Sequence, residues 1–228
     1  MPDSVLVTGG SGGIGGAACR ALAARGYRPL VGYRSGVDRA QKLAEETGGL
    51  ALRLDLDDGD SIDAAVAAAL DAGPLAGAVL AASPPPVLLP LFQARGEEAA
   101  RHWRTTVDGH WRLLDGLVKG ALRKRRRGCV VGVLTRAMGL EEGVPAARTM
   151  GAYVVAKYGL LGLLRALAAE FPWLTVRTVE PDFTETAMLD VFDPRFLESL
   201  RAARPGGRFD DPARVAAEIA GAFEEAEP

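Results

Sequence analysis

Tyr153-Val154-Val155-Ala156-Lys157 sets a phenol and an ammonium four residues apart, and on a helix that spacing brings both onto one face. A neighbouring cation favours phenolate, so the pair is expected to draw the tyrosine below its ordinary value of about 10, as a general acid near neutral pH requires. Far upstream, Thr8-Gly9-Gly10-Ser11-Gly12-Gly13-Ile14-Gly15 offers a second chemistry. Small residues between a strand and a helix let a pyrophosphate approach backbone N–H groups, and Gly10-x-Gly12-x-x-Gly15 meets the dinucleotide fingerprint. The same run also reads Gly9-x-Ser11-x-Gly13, the nucleophile elbow of an α/β-hydrolase. That enzyme needs a histidine after its serine and acid, whereas the histidines are His102 and His110, with none in the second half. The extra glycines suit a phosphate turn better than an elbow. The carboxylate that binds an NAD ribose about twenty residues on is absent, and Val31-Gly32-Tyr33-Arg34-Ser35 stands there instead. A guanidinium at that place can hold a 2′-phosphate bidentately where a carboxylate would repel it, which points to NADP(H).

These groups need a scaffold, and the hydrophobic pattern supplies one. Short β-branched runs alternate with Ala-rich helical stretches, the sign of successive βαβ units. Strands are expected at Ser4–Thr8, Pro29–Tyr33, Leu50–Leu54, Ala76–Ala81, Cys129–Leu134 and Thr175–Val179. Helices are expected at Gly13–Arg25, Val37–Glu46, Asp58–Asp71, Glu97–Arg125, Gly151–Phe171, Asp190–Ala203 and Asp211–Glu225. Right-handed crossovers then make a doubly wound α/β parallel sheet with helices on both faces, read as a single domain over residues 1–228.

Composition bounds the rest. With 48% hydrophobic and 25% charged residues and a formal net charge of -2, the chain is an ordinary globular one with no electrostatic sign of a nucleic-acid partner. Cys19 and Cys129 fall in a helix and a strand and are read as buried thiols of a reducing compartment. No signal peptide precedes the first strand and no apolar run is long enough to span a bilayer, so the expectation is a soluble, cytoplasmic protein without a membrane partner. No metal-ligand spacing stands out.

Taken together, the motifs resemble the short-chain dehydrogenase/reductase family, a Rossmann fold. Its TGxxxGxG pattern is met by Thr8, Gly9, Gly13 and Gly15, and its YxxxK by Tyr153 and Lys157. The resemblance implies a cofactor cradle of these residues with Ser11, Ile14, Tyr33, Arg34, Ser35, Ala81 and Ala82. It makes Asp55, with Leu56, an adenine contact. Pro181-Asp182-Phe183-Thr184-Glu185-Thr186-Ala187-Met188 is similar to the family's PGxxxTxM segment and adds Pro181, Thr184 and Thr186. Thr135 stands where the family has its catalytic serine, and the stretch from Thr135 to Tyr153 is longer than expected. The family's helix-four asparagine becomes Thr106, its NNAG element becomes Leu80-Ala81-Ala82-Ser83, and the glycine after the sixth-strand proline becomes Asp182. A seventh strand is missing, so six are expected.

The function so implied is NADPH-dependent reduction of a ketone, with Tyr153 as general acid, Lys157 holding the ribose and Thr135 polarising the carbonyl. The alternative, suggested by the lost asparagine and NNAG elements, is a cofactor-binding sensor or interaction partner with little turnover. Apolar side chains from Pro84 to Phe92, Met138, Leu140, Phe183, Met188, Leu189, Phe192 and Phe196 are expected around the substrate and favour an acyl or aromatic ketone over a sugar. Arg123-Lys124-Arg125-Arg126-Arg127 complements a helix C-terminus. In the 3-oxoacyl-carrier-protein reductases that the chain resembles, a basic patch there helps to dock an acidic carrier, which makes a carrier-bound substrate a second option. The apolar Tyr153 helix is expected to seal a homodimer.

Overall fold

The computed structural model describes residues 2–94 and 96–226. Among them six parallel strands form one sheet in the order β3-β2-β1-β4-β5-β6. The strands are β1 (Ser4–Thr8), β2 (Arg28–Tyr33), β3 (Leu50–Arg53), β4 (Leu75–Leu80), β5 (Cys129–Val133) and β6 (Thr175–Val179). Each lies within a residue or so of its expected span. In register, Val7 faces Val31 on β2 and Val79 on β4. Alternate residues point to opposite faces, so Val5, Val7, Val31, Val79 and Val131 pack on one side under α1 (Gly13–Ala23), α2 (Val37–Thr47) and the last helix. Leu6, Leu30, Leu80 and Val130 pack on the other, under α3 (Gly59–Asp71) and the two long central helices.

The first of these, α4 (97–125), runs as one helix, but Arg104–Asp108 and Val118–Leu122 are wound as π-helix. It stops at Arg126, which takes a left-handed φ of 46°. The other, α5 (Gly151–Glu170), corrects an expectation: with a mean hydropathy of 1.4 it is long and apolar enough to cross a membrane, and half of its apolar window is buried. Leu160, Leu161, Leu164 and Leu167 belong to that buried half and pack on the sheet.

The expected helix Asp190–Ala203 is instead a 3-10 turn, Ala187–Val191, followed by α6 (Pro194–Ala202). Asp193 accepts from the N–H groups of Arg195 and Phe196, and the Asp-Pro start fixes the new beginning. Asp211 caps α7 (Pro212–Glu225) in the same way.

Candidate active site

The chain reverses direction across the sheet between β1 and β4, and a doubly wound sheet opens its ligand crevice at such a switch point. The glycine turn leaves β1 there. A Cβ on Gly15 would lie 2.3 Å from Gly9 O, so only glycine lets α1 start so close to the strand. The first turn of α1 has no acidic residue, and its N-cap, Gly12, makes no side-chain cap. Its backbone N–H groups and dipole are thus available to an anion.

Thr8 locks the two sides of the crevice. Its Oγ1 accepts from the N–H groups of Ala81 and Ala82, each at 3.0 Å, and lies 3.0 Å from His110 Nε2. With both lone pairs taken, the hydroxyl donates to Nε2. The ring proton is thereby assigned to Nδ1, which donates to Thr106 O at 2.9 Å. Complete burial pushes His110 down to about 4, so the ring is neutral. Sequence reasoning weighed His110 only as a hydrolase residue, and nothing in its local sequence signals that it reaches Thr8.

Tyr153, Lys157 and Thr135 meet across β5 and α5. Lys157 is 2% exposed, donates to Val133 O at 2.7 Å and holds its Nζ 5.6 Å from the Tyr153 ring centre. Thr135 Oγ1 accepts from Ala137 N at 3.2 Å, which leaves its proton to donate to the Tyr153 phenol oxygen. Burial governs the ionisation of both members of the pair. It pulls the ammonium down to about 7 and pushes the phenol up to about 12, against the lowering effect of the Thr135 hydrogen bond. The expected depression of the tyrosine is therefore reversed, because desolvation outweighs the one lowering contribution, the Thr135 hydrogen bond.

Tyr153, Thr135 and Lys157 line one cavity of about 450 Å3 with Ile14, Ala81, Pro181, Thr184 and Thr186. Its outer wall is the segment after β6. A Cβ on Gly13 would lie 2.3 Å from Thr186 Cγ2, so this segment rests directly on the glycine turn. Asp182, the departure from the family glycine, has a structural use. It caps Phe183 N at 2.8 Å and binds Arg204 at 2.7 Å, and that guanidinium lies over the rings of Phe183 and Phe209. Neither Arg204 nor Phe209 was legible as part of the site.

Of the expected substrate-side residues, Pro86, Leu140, Phe183, Met188, Leu189 and Phe192 line the cavity. Met138 turns into the core, whereas Phe92 and Phe196 are exposed. The long stretch before Tyr153 packs against the loop after β4. Thr149 takes a left-handed φ of 62°, and its carbonyl accepts from Leu89 N at 2.9 Å, which ties this stretch to the loop after β4. The basic run 123–127 sits at the amino end of β5, the sheet edge opposite Thr135, and Arg125 binds Asp3 and Leu75 O.

A second group of expected residues gathers at the carboxyl ends of β2 and β3, outside the cavity. Ser11 Oγ donates to Ser35 O at 3.5 Å, which joins the glycine turn to the exposed Arg34 beside half-buried Tyr33. Asp55 accepts from Asp57 N at 3.1 Å through one carboxylate oxygen, so its other oxygen is available. The Leu56 side chain is buried in the core, which leaves only its backbone for a ligand. The uncapped helix start, a turn too tight for side chains and the arginine at its far end fit a dinucleotide with an extra phosphate on the adenosine side.

The strand order, the switch-point crevice and the Tyr–Lys pair beside it define a nicotinamide-dependent oxidoreductase class, and the chain belongs to the short-chain dehydrogenase/reductase family. The family model described as enoyl-(acyl carrier protein) reductase matches residues 9–225. The 3-oxoacyl-[acyl-carrier-protein] reductase of Aggregatibacter actinomycetemcomitans is 30% identical over 229 residues, spanning 95% of this chain and 89% of that protein. Acetoacetyl-CoA reductase of Rhizobium meliloti is 29% identical, with 95% and 88% covered. Among solved structures, a variant of actinorhodin polyketide ketoreductase with NADPH matches with a TM-score of 0.84 at 25% identity, covering 97% of this chain and 90% of that one. Levodione reductase, at 24% identity and a TM-score of 0.85 over 97% and 90%, shares the fold.

Proposed function

We propose that this protein, folded as one unit over residues 1–228, uses NADPH to reduce a small apolar ketone to the alcohol. The observation that carries this reading is the convergence of the Tyr153 phenol, the Thr135 hydroxyl and the Lys157 ammonium on one cavity beside the glycine turn. NADPH, when bound, would supply the hydride that the carbonyl carbon receives. Tyr153 donates its proton to the carbonyl oxygen; burial pushes the phenol up to about 12, so it carries that proton at neutral pH but is a weaker acid than the spacing alone implied. Thr135 donates to the same oxygen and polarises it. With the cofactor bound, Lys157 would hold its ribose, and Thr184 and Thr186, which line the same cavity, would help to hold its nicotinamide end. Arg34, with Tyr33 and Ser35, receives the 2′-phosphate, and Asp55 the adenine.

The apolar wall of Leu140, Phe183, Met188 and Phe192 suits an acyl or cyclic ketone. The basic run faces the other edge of the sheet, so the substrate is read as a free small molecule rather than a carrier-bound one. Free Cys19 and Cys129, both pushed up to about 12 by burial, accord with the cytoplasm. Exposed Trp111, Val155 and Tyr158 on α4 and α5 accord with a homodimer through these helices.

The test is NADPH oxidation against a ketone panel. Wild type should turn over at least one member, and Tyr153→Phe should bind NADPH normally while reduction falls about 10²–10⁴-fold. Thr135→Val should also lower turnover and leave cofactor binding intact. Thr106 in place of the family asparagine favours the second reading, a cofactor-binding protein with little turnover. Tight NADPH binding with no oxidation across the panel would select it.

A further inference from the structure

Of the four lysines in the sequence, Lys42, Lys119 and Lys124 are exposed, whereas Lys157 is buried in the wall of the cavity of about 450 Å3. Among the described residues its Nζ has one hydrogen-bond partner, Val133 O at 2.7 Å, and no carboxylate bears on it. A buried ammonium without a counter-ion sheds its proton rather than keep its charge. The groups around it do nothing to restore that charge. On its own helix Tyr153 presents a ring, from β5 comes the Val133 carbonyl, and from α4 come His102 and His110, both held neutral-side by repulsion from the ammonium. The pull down to about 7 leaves a large share of the amine neutral at neutral pH. Such an amine donates one N–H to Val133 O and keeps its lone pair. Leu140, Phe183, Met188 and Phe192 give the same cavity an apolar wall, and the Tyr153 ring centre lies 5.6 Å from Nζ. A desolvated amine, an apolar pocket and a proton donor beside it are the parts that imine formation uses.

We propose that Lys157 Nζ is a carbonyl-capturing amine: in the chain without bound nucleotide it adds to a small ketone or aldehyde held in the cavity and forms a reversible imine. The Nζ lone pair forms a C–N bond to the carbonyl carbon as the C=O π pair moves to oxygen, and Tyr153 gives that oxygen its proton. The phenolate takes a proton back from the positively charged nitrogen. The carbinolamine then loses its oxygen as water. In that step the C–O bond breaks, the nitrogen pair closes the C=N bond, and a second proton passes from nitrogen to the leaving oxygen through the phenol. One amine and one ketone become one imine and one water, with nothing oxidised or reduced. Capture uses neither nucleotide nor hydride, so it goes beyond the reductase reading and shares with it only the cavity.

The test is reductive trapping of the full chain, free of nucleotide, at pH 7. Acetone and cyclohexanone serve in turn as probes, so that size excludes neither a tight nor a roomy site. Cyanoborohydride is the reductant: it gives hydride to the imine carbon and fixes the adduct as a secondary amine. Peptide mapping by mass spectrometry then reads the label at each lysine, with exposed Lys42, Lys119 and Lys124 as controls in the same chain. With at least one probe Lys157 should carry about tenfold more label than any of the three, because its amine is the one that burial strips of its proton. Unfolding the chain in urea before trapping should abolish that preference. No adduct at Lys157 with either probe, or no more label there than on the exposed lysines, overturns the proposal, and so does a preference that survives unfolding. The reductase reading is judged by NADPH oxidation instead, so a failure of one is told apart from a failure of the other.

Discussion

Lys157→Met should make the protein more stable at pH 7 and lose that advantage as the pH rises. In the fold Lys157 is 2% exposed, and burial pulls its ammonium from the ordinary 10.5 to about 7. At about 1.36 kcal/mol per unit, a drop of about 3.5 units is a burden of about 4 kcal/mol at pH 7, where the folded group is half protonated. The bond from Nζ to Val133 O offsets about 1.5–3 kcal/mol of it. An apolar side chain of similar length should therefore gain about 1–3 kcal/mol, a rise in Tm of about 2–10 °C for a chain of this size. The sign with pH follows from proton counting. Between about pH 7 and 10.5 the unfolded lysine keeps a proton that the folded one has released, so wild-type stability rises with pH relative to the variant. Calorimetry of both proteins at pH 7 and pH 9.5 is the assay. The Tm difference should shrink sharply at the higher pH, and an equal difference at both would refute the view that Lys157 is held desolvated. Activity should be lost throughout, because the same ammonium is assigned to the ribose.

Three further outcomes are expected. NADPH should bind about one to two orders of magnitude more tightly than NADH, as a charge-assisted pair worth about 1.5–3 kcal/mol implies, and Arg34→Asp should reverse the order; equal dissociation constants in wild type would sink the assignment of Arg34. Gly13→Ala places a methyl 2.3 Å from Thr186 Cγ2 and 2.7 Å from its Cβ, so overpacking of about 1–3 kcal/mol should lower Tm by about 2–10 °C. Adding Thr186→Gly should restore it, since the next atom is 3.6 Å away, and a Tm unmoved by Gly13→Ala would mean that the outer wall does not rest on the glycine turn. Light scattering at micromolar concentration should return a dimer for wild type and a monomer for Val155→Glu, a change on the exposed stripe of α5; a monomeric wild type would remove α5 as the interface.

The sequence alone determined the elements and most of the chemistry. Strand periodicity, helix caps and the turn glycines act between residues close in the chain, so β1, the glycine turn and the pairing of Tyr153 with Lys157 on one helix face were legible without coordinates. The parallel, doubly wound character of the sheet followed from the βαβ alternation and right-handed crossovers, whereas the order of its strands came from the fold. Contacts between distant segments were a different matter. That Thr8 donates to His110, that Asp182 holds Arg204 against Phe183 and Phe209, and that Met138 turns inward while Phe92 stays outside are packing outcomes with no local signature. The ionisation of the site was likewise settled by the fold. Spacing alone makes a phenol beside an ammonium look acidic, but burial removes water from both groups, and desolvation, which depends on everything packed around them, drives the phenol up and the ammonium down.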